Sequence, residues 1–122
     1  MTSQLISAQT TAGIDVAMDG HKLSFIIRVS GEIVAAMPDE EEFSPQQIRD
    51  FVAGTPELLC QTHDGFCFFQ NRNGKERGLP LNTLATRMFV RTTNRSESLL
   101  GRVLLAHPDH IAAYWKGAVR GN

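Results

Sequence analysis

The stretch from Asn71 to Ala85 gathers the residues best suited to hold an anion. Lys75 and Arg77 sit in a loop with two glycines, Gly74 and Gly78, just ahead of a helix start. Such a loop can aim backbone N–H groups and the positive end of a helix dipole at a phosphate or carboxylate. It is not a Walker A loop, because Gly74 and Gly78 are only four apart and no lysine follows the second. The same residues also suit a connector. Asn73-Gly74 supplies a turn, Gly78 a second bend, Leu79-Pro80 leads into the helix, and Asn82 can cap that helix or hold the loop in place.

Other chemistry is sparser. His107-Pro108-Asp109-His110 places two imidazoles three apart beside a carboxylate that could orient one of them. A metal site, however, needs a third ligand and supporting groups, and no H-E-x-x-H pattern is present. The plainer account puts Pro108 at the first position of a helix, with Asp109 facing its positive end. Cys60 and Cys67 are the only cysteines, spaced C-x₆-C with His63 between them. That fits neither a secreted disulfide scaffold nor a four-ligand zinc site, and both read as small apolar strand residues. There is no G-x-S-x-G elbow. A pairing of Cys60 or Cys67 with His63 has no third residue to orient it.

Charge is unevenly distributed along the chain. The total is −1, from 12 Lys plus Arg against 13 Asp plus Glu. Residues 1–70 hold three basic side chains against ten carboxylates, a balance of −7. Residues 71–102 hold Arg72, Lys75, Arg77, Arg87, Arg91, Arg95 and Arg102 against Glu76 and Glu97, a balance of +5. Arginine predominates there, and its planar fork suits bidentate contact with carboxylate or phosphate. Two uses follow. The segment forms a basic face for nucleic acid or a phosphorylated ligand, or it meets the acidic half within one fold or across a head-to-tail oligomer.

These residues need elements to position them. At 122 residues, 42% hydrophobic and 20% charged, the chain fits one globular domain spanning 1–122, with residues 1–12 a weakly ordered N-terminus. Its apolar runs are too short to span a bilayer, and the start lacks a secretory pattern, so the expected setting is cytoplasmic with no membrane partner. Ile14 to Met18 alternates as a strand does, Asp19-Gly20 is a hairpin signal, and Leu23 to Val29 returns. Ile33 to Met37 is another strand, followed by the acidic run Asp39-Glu40-Glu41-Glu42. Ser44-Pro45 opens a helix with Ile48, Phe51 and Val52 on one side, ending at Gly54. Glu57 to Thr62 and Phe66 to Gln70 form a hairpin about His63-Asp64-Gly65. Leu81, Leu84, Ala85, Met88 and Phe89 make one helical stripe. Leu100 to Ala106 is the last strand, and Pro108 opens a terminal helix bearing Ile111, Tyr114, Trp115 and Ala118. The class is therefore α+β, a small mixed or antiparallel sheet packed against two to three helices. The order β-α-β-β-α-β from residue 33 permits a ferredoxin-like topology with an N-terminal hairpin and a C-terminal helix.

The stretch Asn71-Arg72-Asn73-Gly74-Lys75-Glu76-Arg77-Gly78-Leu79-Pro80-Leu81-Asn82-Thr83-Leu84-Ala85 resembles the signature of a small domain family of unknown function from phage, plasmid and other mobile-element proteins. That signature reads Asn-Glu-x-Gly-Lys-x-x-Gly-Leu-Pro-x-Asn-x-x-Ala. Asn71, Gly74, Lys75, Gly78, Leu79, Pro80, Asn82 and Ala85 match it, and Arg72 stands where the family usually has Glu. The flanks are similar too, from Val52-Ala53-Gly54 and Glu57 to Leu100-Gly101, so the likeness covers about residues 46–106. The resemblance implies a mobile-element context and brings no activity.

The expected function is a non-catalytic binding or counter-defence module acting on a host protein or nucleic acid. Its partner-binding candidates are Asn71, Arg72, Asn73, Lys75, Arg77, Asn82, Arg87 and Arg91, with no cofactor and no metal. One rival is an oligomeric sponge, such as a homodimer, that sequesters a nucleotide or other anionic small molecule through Lys75, Arg77, Arg87 and the loop amides. Another is a metal-dependent enzyme using His107, Asp109 and His110.

Overall fold

Phe68-Phe69 in one strand and Val103-Leu104-Leu105 in another are runs with no polar residue between apolar ones. Successive strand side chains point to opposite faces, so such runs require cover on both sides of a sheet. The computed structural model, which describes residues 22–62, 64–113 and 115, shows that arrangement. Its strands are β1 (Ser24–Ile27), β2 (Ile33–Ala36), β3 (Pro56–Gln61), β4 (Cys67–Asn71) and β5 (Val103–Ala106). Its helices are α1 (Pro45–Val52) and α2 (Thr83–Thr93), and a 3₁₀ turn spans Pro108–His110. The strands form one five-stranded sheet in the order β2-β1-β5-β4-β3, antiparallel throughout.

Each face carries its own apolar layer. Leu58, Cys67, Phe69, Leu104 and Ala106 pack with Ile48 and Val52 of α1, together with Phe43 and Ile111. Ile27, Leu59, Phe68 and Val103 pack with Ala85 and Phe89 of α2, together with Leu99. The two adjacent phenylalanines thus anchor opposite layers. Phe68 meets Phe89 edge-on at 5.2 Å between ring centroids, and Phe69 meets Trp115 at 5.0 Å. Burying each ring contributes about 1.5–3 kcal/mol, with the edge-on geometry adding about 0.5–1.5. In β3 the register steps from Leu58 opposite Phe69 to Cys60 opposite Phe68, so Leu59 is the extra residue of a β-bulge. The bulge lets Leu59 and Cys60 both serve the α2 layer.

The α+β class is as expected, but the strand order is not the ferredoxin-like one. That order would bring β2 beside β4; here β5 lies between β1 and β4, and β2 is at the edge. The strand expected at Ile14–Met18 lies outside the described residues. β1 and β2 form a hairpin through Ser30-Gly31, with Gly31 at φ +95°.

Helix limits differ locally from the expected ones. Ser44 caps α1 in a full capping box: its Oγ accepts from Gln47 N–H and Gln47 Oε1 accepts from Ser44 N–H, both at 3.1 Å. At the other end the left-handed residue is Ala53, φ 60°, not Gly54. Ala53 N–H donates to Asp50 and Gly54 N–H to Arg49, a Schellman closure. Leu81 does not join the buried stripe: it is 49% exposed and bridges to Leu100 before α2 begins. The last strand starts at Val103 because Gly101, at φ +73°, turns the chain first. Pro108 opens a single 3₁₀ turn rather than a long helix, while Tyr114 and Ala118 lie outside the described residues.

Candidate functional site

The loop from β4 to α2 is tied to the scaffold by its own amides and glycines. Asn71, 2% exposed, donates from Nδ2 to Ala53 C=O at 3.1 Å and accepts at Oδ1 from Asn73 N–H at 2.8 Å. Arg77 Nη1 donates to the same Ala53 carbonyl at 3.2 Å, and Arg102 Nη2 to Asp50 C=O at 3.1 Å. Three donors therefore close the C-terminus of α1, where free carbonyls and the negative dipole end favour cationic and amide partners. Asn82 is fully buried and does both things its position suggested. Its Oδ1 caps α2 by accepting from Ala85 N–H at 3.0 Å, and its Nδ2 donates to Ile27 and Gly101 C=O at 2.9 and 2.8 Å.

This wiring decides where an anion could and could not sit. The N–H groups of Asn73, Gly74, Arg77, Gly78 and Leu79 all donate within the loop, and Asn82 closes the helix start. Those five loop amides are thus spent on structure, and the side chains of Asn71, Arg77 and Asn82 serve as clamps. Arg95 lies over the Phe89 ring at 6.0 Å. Four cations remain displayed: Arg72 and Lys75 on the loop, Arg87 and Arg91 on α2, all exposed. Among the described residues the ion pairs are Lys22–Asp109 at 2.6 Å and Arg28–Glu32 at 3.6 Å, and none joins residues 71–102 to a carboxylate.

A cleft of about 330 Å³ opens beside α2, lined by Thr62, Asp64, Phe66, Phe68, Met88, Thr92 and Leu105. The sequence reading missed it. Met88 was visible only as part of a helical stripe, and the cleft arises where the β3–β4 hairpin meets the far end of that helix. Residues three or four apart are neighbours on a helix surface. On α2 Arg91 follows Met88 by three residues and Arg87 precedes Arg91 by four, and neither side chain lines the cleft.

The histidine cluster is a buried fastening. His110, 6% exposed, shares a 2.7 Å hydrogen bond between Nδ1 and Ser24 Oγ, and Ser24 Oγ also accepts from His107 N–H at 2.8 Å. His107 Nδ1 accepts from Asp109 N–H at 3.0 Å, and the Asp109 carboxylate meets Lys22. Asp109 thus engages His107 through its backbone rather than orienting an imidazole with its carboxylate. Among the described residues no three His, Cys, Asp or Glu side chains are grouped to hold a metal. Cys60 packs with the α2 layer and Cys67 lies in the α1 layer, so they face opposite sides of the sheet and neither forms a disulfide among the described residues. His63 lies outside the described residues.

Burial pushes the His110 imidazole below its ordinary value of 6.5; nearby His107 adds to this, Asp109 opposes it, and Lys22 lowers it further. His107 is lowered by burial as well. A group whose pKa is depressed by folding contributes stability above its unfolded value and loses it as pH falls through the folded one. The urea midpoint should hold above pH 6.5 and then decline on acidification, less so in His110→Gln. A midpoint that is flat or rises between neutral and mildly acid pH would contradict this assignment.

The fold and site together define a three-layer α+β domain with a cation-bearing helix and loop beside an apolar cleft. No helix among the described residues is long and apolar enough to cross a membrane. Comparison of the chain with protein-family models, curated proteins and solved structures finds no match.

Proposed function

We propose that the chain is a non-catalytic binding module that engages an anionic partner through Arg72, Lys75, Arg87 and Arg91. One observation carries this reading: these four side chains are exposed without an ion-pair partner among the described residues, while the neighbouring Asn71, Arg77, Asn82 and Arg102 are fixed into the scaffold. A rigidly held loop and helix presenting guanidinium and ammonium groups spend little ordering entropy on contact. The resemblance of residues 71–85 to mobile-element proteins favours a host component as the target, a nucleic acid or an acidic protein face. The small-molecule sponge is the weaker alternative, because five of the loop amides it would use, those of Asn73, Gly74, Arg77, Gly78 and Leu79, already donate within the loop.

The test is fluorescence anisotropy of labelled duplex DNA and of an acidic polypeptide, with Arg87→Glu/Arg91→Glu as the variant. Binding should weaken with salt, and for nucleic acid the log–log slope should approach about −0.9 per phosphate contacted. The double reversal should abolish binding while leaving the melting temperature within a few degrees, since both side chains are exposed. Absence of binding to either probe, or full binding by the variant, would overturn the assignment.

A further inference from the structure

Both imidazoles of the turn after β5 hold a hydrogen bond as acceptors, and both do so at Nδ1. His107 Nδ1 faces the Asp109 backbone N–H at 3.0 Å, and a backbone amide can only donate. His110 Nδ1 lies 2.7 Å from Ser24 Oγ, which already accepts from His107 N–H at 2.8 Å. Ser24 is fully buried, and among the described residues its hydroxyl proton has no other acceptor in reach, so it is donated to Nδ1. These partners place the single proton of each neutral ring on Nε2. A second proton must then enter at Nδ1. On His107 it opposes the Asp109 amide, and on His110 it leaves the Ser24 hydroxyl without an acceptor in a buried site.

The turn held by these bonds carries more than itself. His110 C=O accepts from Phe43 N–H at 2.8 Å, and its ring meets Phe43 edge-on at 5.6 Å. Just beyond it, Ile111 and Trp115 pack onto the α1 layer, where Trp115 stands edge-on to Phe69. We propose that this corner is an acid-released latch: proton uptake at Nδ1 of His107 and His110 frees the turn from β1 and lifts Ile111 and Trp115 from the α1 layer, uncovering an apolar face while the sheet stays paired. The sheet survives because β1 keeps its own ladders to β2 and β5. Several charged groups surround the two rings. Lys22 ahead of β1 pairs with Asp109 of the turn, Glu41 and Glu42 line a recess shared with His110, and Asp64 lies in the hairpin whose Phe66 ring meets His107. Asp109 favours the protonated rings and Lys22 the neutral ones; burial outweighs the carboxylate and holds both histidines below 6.5. A ring that resists protonation in the closed form and accepts it in the open one favours the open form as pH falls. The latch is therefore shut at neutral pH and opens on acidification, and it works independently of Arg87 and Arg91.

Three readings on the wild-type chain test this between about pH 7.5 and about pH 4.5. Two-bond proton–nitrogen spectra of the rings should show Nε2 protonated and Nδ1 bare at neutral pH. Hydrogen exchange should show the Phe43, His107 and Asp109 amides losing protection below 6.5, about tenfold per pH unit for each histidine engaged, while Phe68 and Phe69 of β4 keep theirs. Emission of Trp115, the only tryptophan, should move to the red over the same range. His107→Asn/His110→Asn supplies amide oxygens that accept in place of Nδ1 and do not titrate, so it should remove both acid responses. A proton on Nδ1 of either ring at neutral pH overturns the latch, as does titration of both rings with Trp115 and the three amides unmoved. Loss of β4 protection in step with the turn replaces local release by global unfolding and overturns it too. A folded double variant that still responds at the same pH assigns the change to carboxylates rather than to the imidazoles, and the latch fails. Should that variant not fold, the wild-type readings decide alone.

Discussion

Asn82→Ala is expected to lower folding stability by about 3–5 kcal/mol, a large share of the 5–15 that small domains possess. The side chain is fully buried and makes three hydrogen bonds that link α2 to β1 and to the turn before β5. Loss of the cap alone costs about 1 kcal/mol. The larger part comes from Ile27 and Gly101, whose buried carbonyls lose a donor at about 1–3 kcal/mol each. Asn82→Asp separates the contributions: it keeps the acceptor for Ala85 N–H but turns the donor toward those carbonyls into a second acceptor. It should therefore be at least as damaging as alanine, whereas Asn82→Ser should recover only the cap. Urea denaturation with an unchanged slope measures each. A loss near 1 kcal/mol for alanine would reduce Asn82 to a simple helix cap.

Gly54→Ala should be nearly as severe for a different reason. A Cβ there would lie 2.4 Å from Asn71 Nδ2 and 3.3 Å from Arg77 Nη1, with no left-handed backbone involved. Asn71 is buried and cannot swing into solvent, so relieving the overlap breaks its bonds to Ala53 and Asn73. Together these effects give an expected loss of about 2–4 kcal/mol. Asn71→Ala alone forfeits the same hydrogen bonds and should cost about 2 kcal/mol. In the double variant the methyl occupies space the amide has vacated, so its loss should fall short of the sum by about 1–2 kcal/mol. Additive losses in that cycle would show that the Gly54–Asn71 contact is not what demands glycine. The packing also accounts for Ala53 in the left-handed position at φ 60°: the neighbouring glycine is needed for close approach rather than for its dihedral freedom.

Most of the elements could be read from short-range chemistry. Ser44-Pro45 marks the start of α1, the Leu84-Ala85-Met88-Phe89 spacing marks α2, and the apolar runs at 67–69 and 103–106 mark the central strands. These signals depend on neighbours within a turn or two, where sequence spacing and spatial contact coincide. The same locality misled at Leu81, which continues the helical spacing but precedes the cap at Asn82 and lies exposed against Leu100. It misled again at Pro108, where a good helix opener begins only one 3₁₀ turn.

The anion-binding expectation at residues 71–82 failed to separate donors that are free from donors that are used. Lys75 and Arg77 look alike in a charge count, yet one is displayed and the other closes α1 across 24 residues of chain. By itself the sequence determined the α+β class, most of the element types, the acidic and basic halves and the loop with its glycines, because each is written in composition or in local period. Only the tertiary structure decided that β5 lies between β1 and β4, that Asn71, Arg77 and Asn82 are clamps, that Ser24 meets His110, and that Met88 and Thr92 of α2 line a cleft with Phe66, Phe68 and Leu105. Each of these joins residues far apart in the chain, and which strands become neighbours is set by how two apolar faces of one sheet are covered at once, a condition no local window contains.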